Sequence, residues 1–303
     1  MSGQAKQLEG KRIGIFGKGG AGKSTLIVLL SRALRRHGYQ VCVLDANSTN
    51  FGLSQVLGLD HPPTPLLNHF GGMVFSGGLV TCPVDDPTPL PEATIDLEDL
   101  PAEYQQQNSE GITLLTAGKI GDQGPGAGCD GPIAKIARDL KIKGKEQQPV
   151  TVIDFKAGFE DSARGAITSL DWAMVAVDPT TASIEIAANM KHMVEQIKAD
   201  VLPATAHLET EELVFWANKL FTESSIQDVL FVLNKVHSEE EEEYLRGKLA
   251  EQGIKPFGVI YQDDCISSAW LKGCPISDTQ EMKEVDTIVE RLESSAADES
   301  PAE

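Results

Sequence analysis

The stretch KRIGIFGKGGAGKSTLIVLLSRALRRHG, residues 11–38, constrains the fold more than any other part of the chain. It opens with a short apolar run that reads as a buried strand and passes through Gly17, Gly19, Gly20 and Gly22. It then enters a long periodic segment that reads as a helix closed by Gly38. The same alternation repeats downstream. YQVCVLDA, GITLLTAG, PVTVIDF, WAMVAVDP, DVLFVLNK and KPFGVIY read as strands, and PIAKIARDL, SIEIAANMKHMVEQI and EEEEEYLRGKLAEQG as the helices between them. Strands that alternate with longer helices predict an α/β fold built on a mostly parallel, doubly wound sheet.

Two segments interrupt this rhythm. Residues from about 60 to 110 are rich in proline, glycine and acid, and CPVDDPTPLPEATIDLEDLPAEYQQQNSE contains no Lys or Arg. This reads as an excursion, partly mobile, with a short hairpin at GGMVFSGGLVTCP. Residues 201–225 read as a helical insertion around ETEELVFWANKLF. The expected organisation is a single domain over residues 1–295 carrying these two insertions, then a disordered acidic tail at 296–303. The preceding helix, EMKEVDTIVERLES, is amphipathic but acidic and is expected to pack on the protein.

Gly17, four residues, then Gly22-Lys23-Ser24 fits the phosphate-loop pattern G-x-x-x-x-G-K-[ST], with a strand before it and a helix after. Glycines let backbone N–H groups turn inward around phosphates, and the helix N-terminus adds positive potential. Gly19, Gly20, Ala21, Gly22, Lys23, Ser24 and Thr25 are the predicted nucleotide-binding residues. In that pattern Lys23 reaches the β- and γ-phosphates and Ser24 ligates Mg²⁺.

The loop carries a second lysine, Lys18. The form G-K-G-G-x-G-K-S-T resembles the deviant Walker A sequence of the superfamily that includes MinD, ParA and nitrogenase iron protein. The resemblance implies a P-loop NTPase fold, ATP and Mg²⁺ as cofactors, and a homodimer. Lys18 of each subunit would then reach the phosphates of the other, as an arginine finger does. VIDFKAG resembles the Walker B strand and second switch of these proteins, which makes Asp154 a magnesium-shell residue. VLNKV resembles the segment in which an asparagine, here Asn234, reads adenine, and YQDDCISSAWLKGCPI falls where a base-covering loop is expected. AGFEDSARG and VAVDPTTASIEIAANM are most similar to the nickel-insertion ATPases of carbon monoxide dehydrogenase maturation. GAGCDGPIAKIARDL resembles both those proteins and the cluster-binding loop of nitrogenase iron protein.

The chain also departs from the pattern. The first switch usually reads D-x-D, whereas here it is Asp45-Ala46-Asn47. An amide at Asn47 can orient a water but cannot take its proton as a carboxylate does, so hydrolysis is expected to be slow or lost. Phe155 stands where the second switch usually has a small Thr or Val, so the resemblance does not carry over the positioning of the attacking water at this point. The Cys-x-Cys of the nickel-insertion proteins is reduced to Cys129-Asp130-Gly131, and Asp161 stands at the position of the second nitrogenase cluster cysteine. Two Cys129 thiolates across a dimer axis are a candidate soft-metal site. Cys129 reads equally as a small residue in a tight glycine-rich loop.

Against 26 basic residues stand 45 acidic ones, a net charge of −19. Such a surface repels phosphate backbones and anionic lipid, so neither nucleic acid nor membrane is an expected partner. MSGQAKQLEGKR does not resemble a secretory signal, and no apolar run approaches the ~20 residues of a membrane span, so the chain is expected to be cytoplasmic. The five cysteines form no C-x-x-C pair, which fits free thiols better than a disulfide framework. His61, His69, His192, His207 and His237 lack partners at ligand spacing, and Trp172 and Trp216 read as packing aromatics.

These features favour an ATP-binding switch protein serving metalloenzyme maturation, with a client metalloenzyme as its partner. The alternatives are a positioning ATPase of the MinD/ParA type, a non-hydrolysing regulatory or structural nucleotide-binding subunit, and a cluster-carrying reductase.

Overall fold

The computed structural model describes residues 6–120, 129–276, 279 and 281–298. The expected tail at 299–303 and the Gly126-Ala127-Gly128 part of the cysteine loop lie outside the described residues.

The first strand, β1 (Arg12–Gly17), leads through the glycine loop into α1 (Lys23–Arg36) and on to β2 (Val41–Asp45). Short helices α2 (Leu53–Val56) and α3 (Leu66–His69) follow, then β3 (Thr94–Asp96), β4 (Gln106–Gln107) and β5 (Ile112–Thr116). Next come α4 (Gly131–Asp139), β6 (Lys141–Lys143), β7 (Val150–Asp154) and α5 (Glu160–Ala163). The chain continues through β8 (Trp172–Val177), α6 (Thr181–Lys198), α7 (Glu211–Thr222), β9 (Asp228–Val236) and α8 (Glu239–Glu251). It finishes with β10 (Gly258–Tyr261), α9 (Asp264–Lys272) and α10 (Glu281–Asp298).

Eight strands form the main sheet in the order β10-β9-β8-β1-β7-β2-β5-β4. Every neighbouring pair is parallel except the short edge strand β4, which runs antiparallel to β5. The sheet is covered on both faces. One apolar cluster includes residues of α1 and α10, and the other includes residues of α4, α6 and α8. This explains why β1, β2, β5, β7 and β8 are buried along their whole length and read as continuous apolar runs.

What positions the site is strand order. β1 lies between β7 and β8, with Ile15 opposite Asp154, and β2 lies beside β7 with Asp45 in register with Asp154. The carboxyl ends of β1, β2 and β7 therefore converge, and in open α/β sheets that is where ligands bind.

The excursion differs from expectation. Val74–Ser76 forms a single 3₁₀ turn, and Met73 and Val80 bridge in parallel, so there is no hairpin at this point. Gly71, Gly72 and Gly77 all take positive φ, which breaks an extended strand. Gly78 sits so close to Gly72 that an added Cβ would lie 2.3 Å from its carbonyl carbon. The segment also contributes to the core. Leu66, Leu67, Met73, Val80, Ile95 and Leu97 are buried in the core, and β3 pairs with β6 in a separate two-stranded sheet. The acidic composition concealed this, because the buried leucines are spread one or two at a time between prolines and carboxylates.

In the second insertion α7 is capped by Thr210, whose hydroxyl accepts from Leu213 N–H. At the other end of the chain α10 runs through Asp298 with Ala296 buried, so the helix continues into the stretch expected as tail.

Candidate functional site

The glycine loop is shaped by contacts that admit no side chain. Gly17 has φ +138° and an added Cβ would lie 2.5 Å from Ala176 O; Gly22 has φ +88° and its Cβ would lie 2.1 Å from Asn234 Nδ2. α1 starts at Lys23 with Gly22 as its N-cap and no side chain capping it. The N–H groups of its first turn are thus left for a ligand.

Lys23 is buried and curls over its own loop, with Nζ 3.3 Å from Gly17 O and 3.4 Å from Lys18 O. Burial lowers its pKa, and the charge of Asp154 works against that.

Ser24 Oγ lies 3.3 Å from Asp154 Oδ2. Asp154 is fully buried, and its Oδ1 makes no hydrogen bond with the described residues. Burial raises its pKa, opposed by the Asn50 hydrogen bond, the charges of Lys23 and Lys119, and the Ser24 hydroxyl. A buried carboxylate with one bare oxygen, beside a serine hydroxyl at the start of the phosphate-loop helix, is a hard oxygen donor set that fits Mg²⁺.

Lys18 is not a free loop lysine. Its Nζ pairs with Asp178 Oδ2 at 2.9 Å, just past the end of β8. Burial alone would raise the Asp178 pKa, but hydrogen bonds from Thr180, Lys18 and Ser183 outweigh it and hold the carboxyl below its usual range.

Asn47 lines the same cleft, its Oδ1 accepting from Thr49 N–H at 3.3 Å and Thr49 Oγ1 at 3.1 Å. Phe155 is not part of the cleft lining. Its ring is fully buried and stacked on Phe16 at 4.5 Å between centroids, and so belongs to the core.

Two residues absent from the sequence reading complete the first switch. Lys119 Nζ donates to Asp45 Oδ2 at 2.7 Å, Asn47 O at 2.7 Å and Asn50 O at 2.5 Å. Burial raises the Asp45 pKa; Lys119 opposes this and the nearby Asp154 charge adds to it. Asn50 Nδ2 donates to both Ser24 Oγ and Asp154 Oδ2. The signal for Lys119 is the pairing of Asp45 with Thr116, which sets the loop after β5 beside the first switch. Strand order is needed to see it.

Asn234 is buried and donates its Nδ2 to Ala21 O at 2.7 Å. The amide singled out for adenine therefore clamps the phosphate loop. Lys235 follows with φ +60°, at a bulge where Ile260 pairs with Asn234 and Tyr261 with Val236, and donates Nζ to Gly20 O at 2.8 Å. A bulge re-aims one side chain, and here it turns Lys235 onto the loop.

The cleft has a volume of about 510 Å³, and its lining includes Tyr261, Gln262, Asp263, Ile266 and Trp270, all from the segment expected to cover a base. Trp270 Nε1 donates to Thr25 Oγ1 at 2.8 Å, which seats α9 on α1.

Cys129 lies apart from this cleft's lining, its Sγ accepting from Gly131 N–H at 3.4 Å. Asp130 pairs with Lys156 and Arg164, each at 2.7 Å, and Asp161 pairs with Arg164 at 3.3 Å. Both acids are thus committed to cations. Among the described residues no group of three or more His, Cys, Asp or Glu is placed to hold a metal, so the candidate at Cys129 finds no support within one chain. His69 packs edge-on to Phe70 and Tyr104, and His237 pairs with Glu241 at 3.0 Å. Among the described residues no helix is long and apolar enough to cross a membrane.

A mostly parallel sheet, a glycine loop at the end of its central strand, and a Lys-Ser-Asp set facing one cleft define a phosphate-loop nucleotide-binding protein. The chain belongs to the CobQ/CobB/MinD/ParA nucleotide binding domain family, which it matches over residues 15–276. It is 33% identical over 191 residues to an uncharacterized ATP-binding protein of Methanocaldococcus jannaschii, covering 61% of this chain and 74% of that one. It is 27% identical over 233 residues to the carbon monoxide dehydrogenase accessory protein CooC of Rhodospirillum rubrum, covering 74% and 79%. Among solved structures it resembles the septum site-determining protein MinD of Pyrococcus horikoshii, complexed with Mg-ADP. That likeness has a TM-score of 0.60 at 18% identity over 96% of this chain and 99% of that one, and it speaks for the fold.

Proposed function

We propose that the protein is a homodimeric Mg-ATP-binding switch acting in metalloenzyme maturation or metal-centre insertion. The observation that carries nucleotide binding is the pairing of Ser24 with the buried Asp154 and its bare Oδ1, set beside Lys23. The maturation role is supported by the similarity to CooC over most of both chains.

In this reading the N–H groups of Gly19, Gly20 and Gly22 to Thr25 line the phosphates, while Ala21 N–H stays on Lys18 O and Lys23 leaves its loop carbonyls for the β- and γ-phosphates. Ser24 and Asp154 hold Mg²⁺, which supplies charge neutralisation at the terminal phosphates. Asn234 and the α9 segment border the base. Lys18 exchanges Asp178 for the phosphates bound by a second subunit, so dimerisation follows nucleotide. Asn47 orients water without accepting its proton, which makes turnover slow and leaves the bound state long-lived. The metal delivered to a client enzyme is cargo, with Cys129 on paired subunits as its candidate handle.

Solution mass with and without a non-hydrolysable ATP analogue tests this. The wild type is expected to double in mass only with nucleotide, and Lys18→Ala to stay monomeric while still binding it. An unchanged wild-type mass would refute the dimer switch. ATPase turnover beside Asn47→Asp tests the slow-switch reading, which fails if the wild type is brisk and the substitution does not raise its rate. Anaerobic purification with metal analysis tests the Cys129 handle.

A further inference from the structure

Asn50 stands where the two magnesium-ligand residues meet. Its Nδ2 donates to Ser24 Oγ at 2.9 Å and to Asp154 Oδ2 at 3.0 Å. The orientation of the amide is set from the other side, because Oδ1 accepts from Gly52 N–H at 3.2 Å. The backbone is held too: Asn50 O accepts from Lys119 Nζ at 2.5 Å, and Asn50 N–H donates to Asn47 O at 3.2 Å.

A serine hydroxyl has one proton and an acceptor side. The Ser24 proton points to Asp154, and Asn50 occupies the acceptor side. A divalent ion ligated by Ser24 at the ~2.1 Å typical of Mg²⁺ needs that same acceptor side. It would then face the two positively polarised amide protons of Asn50. One of the two Ser24 lone pairs is taken by the Asn50 amide, and a cation on the other would lie against its protons, so ligation by Ser24 and donation by Asn50 oppose one another.

We propose that Asn50 is a positioning residue that gates magnesium. Its amide holds Ser24 and Asp154 together as a neutral stand-in for the cation, and it must swing out for the cation to be ligated, carrying the Asn50–Gly52 segment with it. The movement has a built-in reporter, since an added Cβ on Gly52 would lie 3.0 Å from Trp270 Cζ3, so the indole ring packs directly on the moving segment. Phe51, between them, is largely exposed, its ring meeting Lys119 Nζ at 5.9 Å from the centroid. The first switch thus responds to the metal through Asn50 even before any γ-phosphate is considered. This inference rests on Ser24 and Asp154 being the magnesium ligands.

The test uses the full chain and ADP, so that neither hydrolysis nor dimerisation enters. The quantity read is the ratio of ADP affinities with Mg²⁺ and with EDTA. For Asn50→Ala the gate predicts a ratio raised about tenfold over wild type, the worth of one hydrogen bond to a charged group. A residue that merely orients Asp154 toward the ion predicts the opposite sign, so a lowered or unchanged ratio overturns the proposal. Adding Mg²⁺ to the ADP-bound wild type is expected to shift tryptophan emission, with the shift abolished in Trp270→Phe and reduced in Asn50→Ala. An Asn50→Ala shift equal to wild type also overturns it. Asp154→Asn separates the two levels: if it keeps the full magnesium dependence, the ligand assignment itself has failed. If it loses that dependence while Asn50→Ala stays at wild type, the gate alone has failed. Should Asn50→Ala fold poorly, Asn50→Ser, which shortens the reach to Ser24 and Asp154, gives the same signs.

Discussion

Gly22→Ala should separate backbone strain from collision in the phosphate loop. Gly22 has φ +88°, a region where an L side chain costs about 1–2 kcal/mol. The new Cβ would stand 2.1 Å from Asn234 Nδ2, far inside van der Waals contact, so the Asn234 amide must move. Its 2.7 Å hydrogen bond to Ala21 O is then lost. Ala21 is fully buried, and leaving its carbonyl without a donor costs about 1–3 kcal/mol. The two terms sum to about 2–5 kcal/mol for the single variant. Asn234→Ala alone costs the hydrogen-bond term of about 1–3 kcal/mol. In the double variant the collision is gone and the hydrogen bond is lost only once. The cycle should therefore show a favourable coupling of about 1–3 kcal/mol. Urea denaturation of the four proteins measures it. Strict additivity would mean that Gly22 and Asn234 do not collide, and would refute this account of why glycine is needed there.

Lys119→Met removes the cation that serves Asp45 beside Asp154 and should cost about 3–5 kcal/mol at neutral pH in urea denaturation. Asp45 already has a raised pKa, and a carboxyl whose folded pKa lies above its unfolded value penalises folding once ionised. The deficit of the variant should therefore shrink as pH falls through the raised value, and a deficit independent of pH would contradict the charge argument. Asp178→Ala releases Lys18 from its 2.9 Å ion pair and should strengthen nucleotide-dependent dimerisation severalfold, read by mass against concentration; weaker dimerisation would show that Asp178 orients Lys18 for its task. Asp86 accepts from Thr81, Thr88 and Lys135, which together outweigh burial and pull its pKa down to about 2. Asp86→Asn should lower thermal stability above pH 4 and converge with wild type as pH falls toward 2, whereas an equal loss at both pH values would point to packing alone.

How much could be read in advance depended on how local each feature is. The strands of the main sheet were legible because a strand buried on both faces is apolar at nearly every position. The glycine loop was legible because its geometry is made within a few residues. The supposed hairpin at 71–83 failed for the reverse reason: Gly71, Gly72 and Gly77 turn to positive φ and Gly78 packs backbone against backbone. Where the Phe155 ring goes was not legible from its position after Asp154, because it is decided by Phe16 on the neighbouring strand β1. Lys119 and Asn50 were missed because each depends on partners far along the chain, and neither lies in a pattern of its own.

Sequence by itself determined the class of fold, the phosphate-binding loop with Lys23 and Ser24, and the presence of a second lysine that a simple phosphate loop does not need. These follow from spacing and periodicity, which act over one turn or one strand. Only the tertiary structure decided that Lys18 rests on Asp178, that Asn234 and Lys235 brace the loop, and that Asn50 and Lys119 close the first switch. The physical reason is register. Setting β8, β1, β7, β2 and β5 side by side brings charged and polar groups from distant segments within 3 Å of one another, and in that confined space each must find a partner.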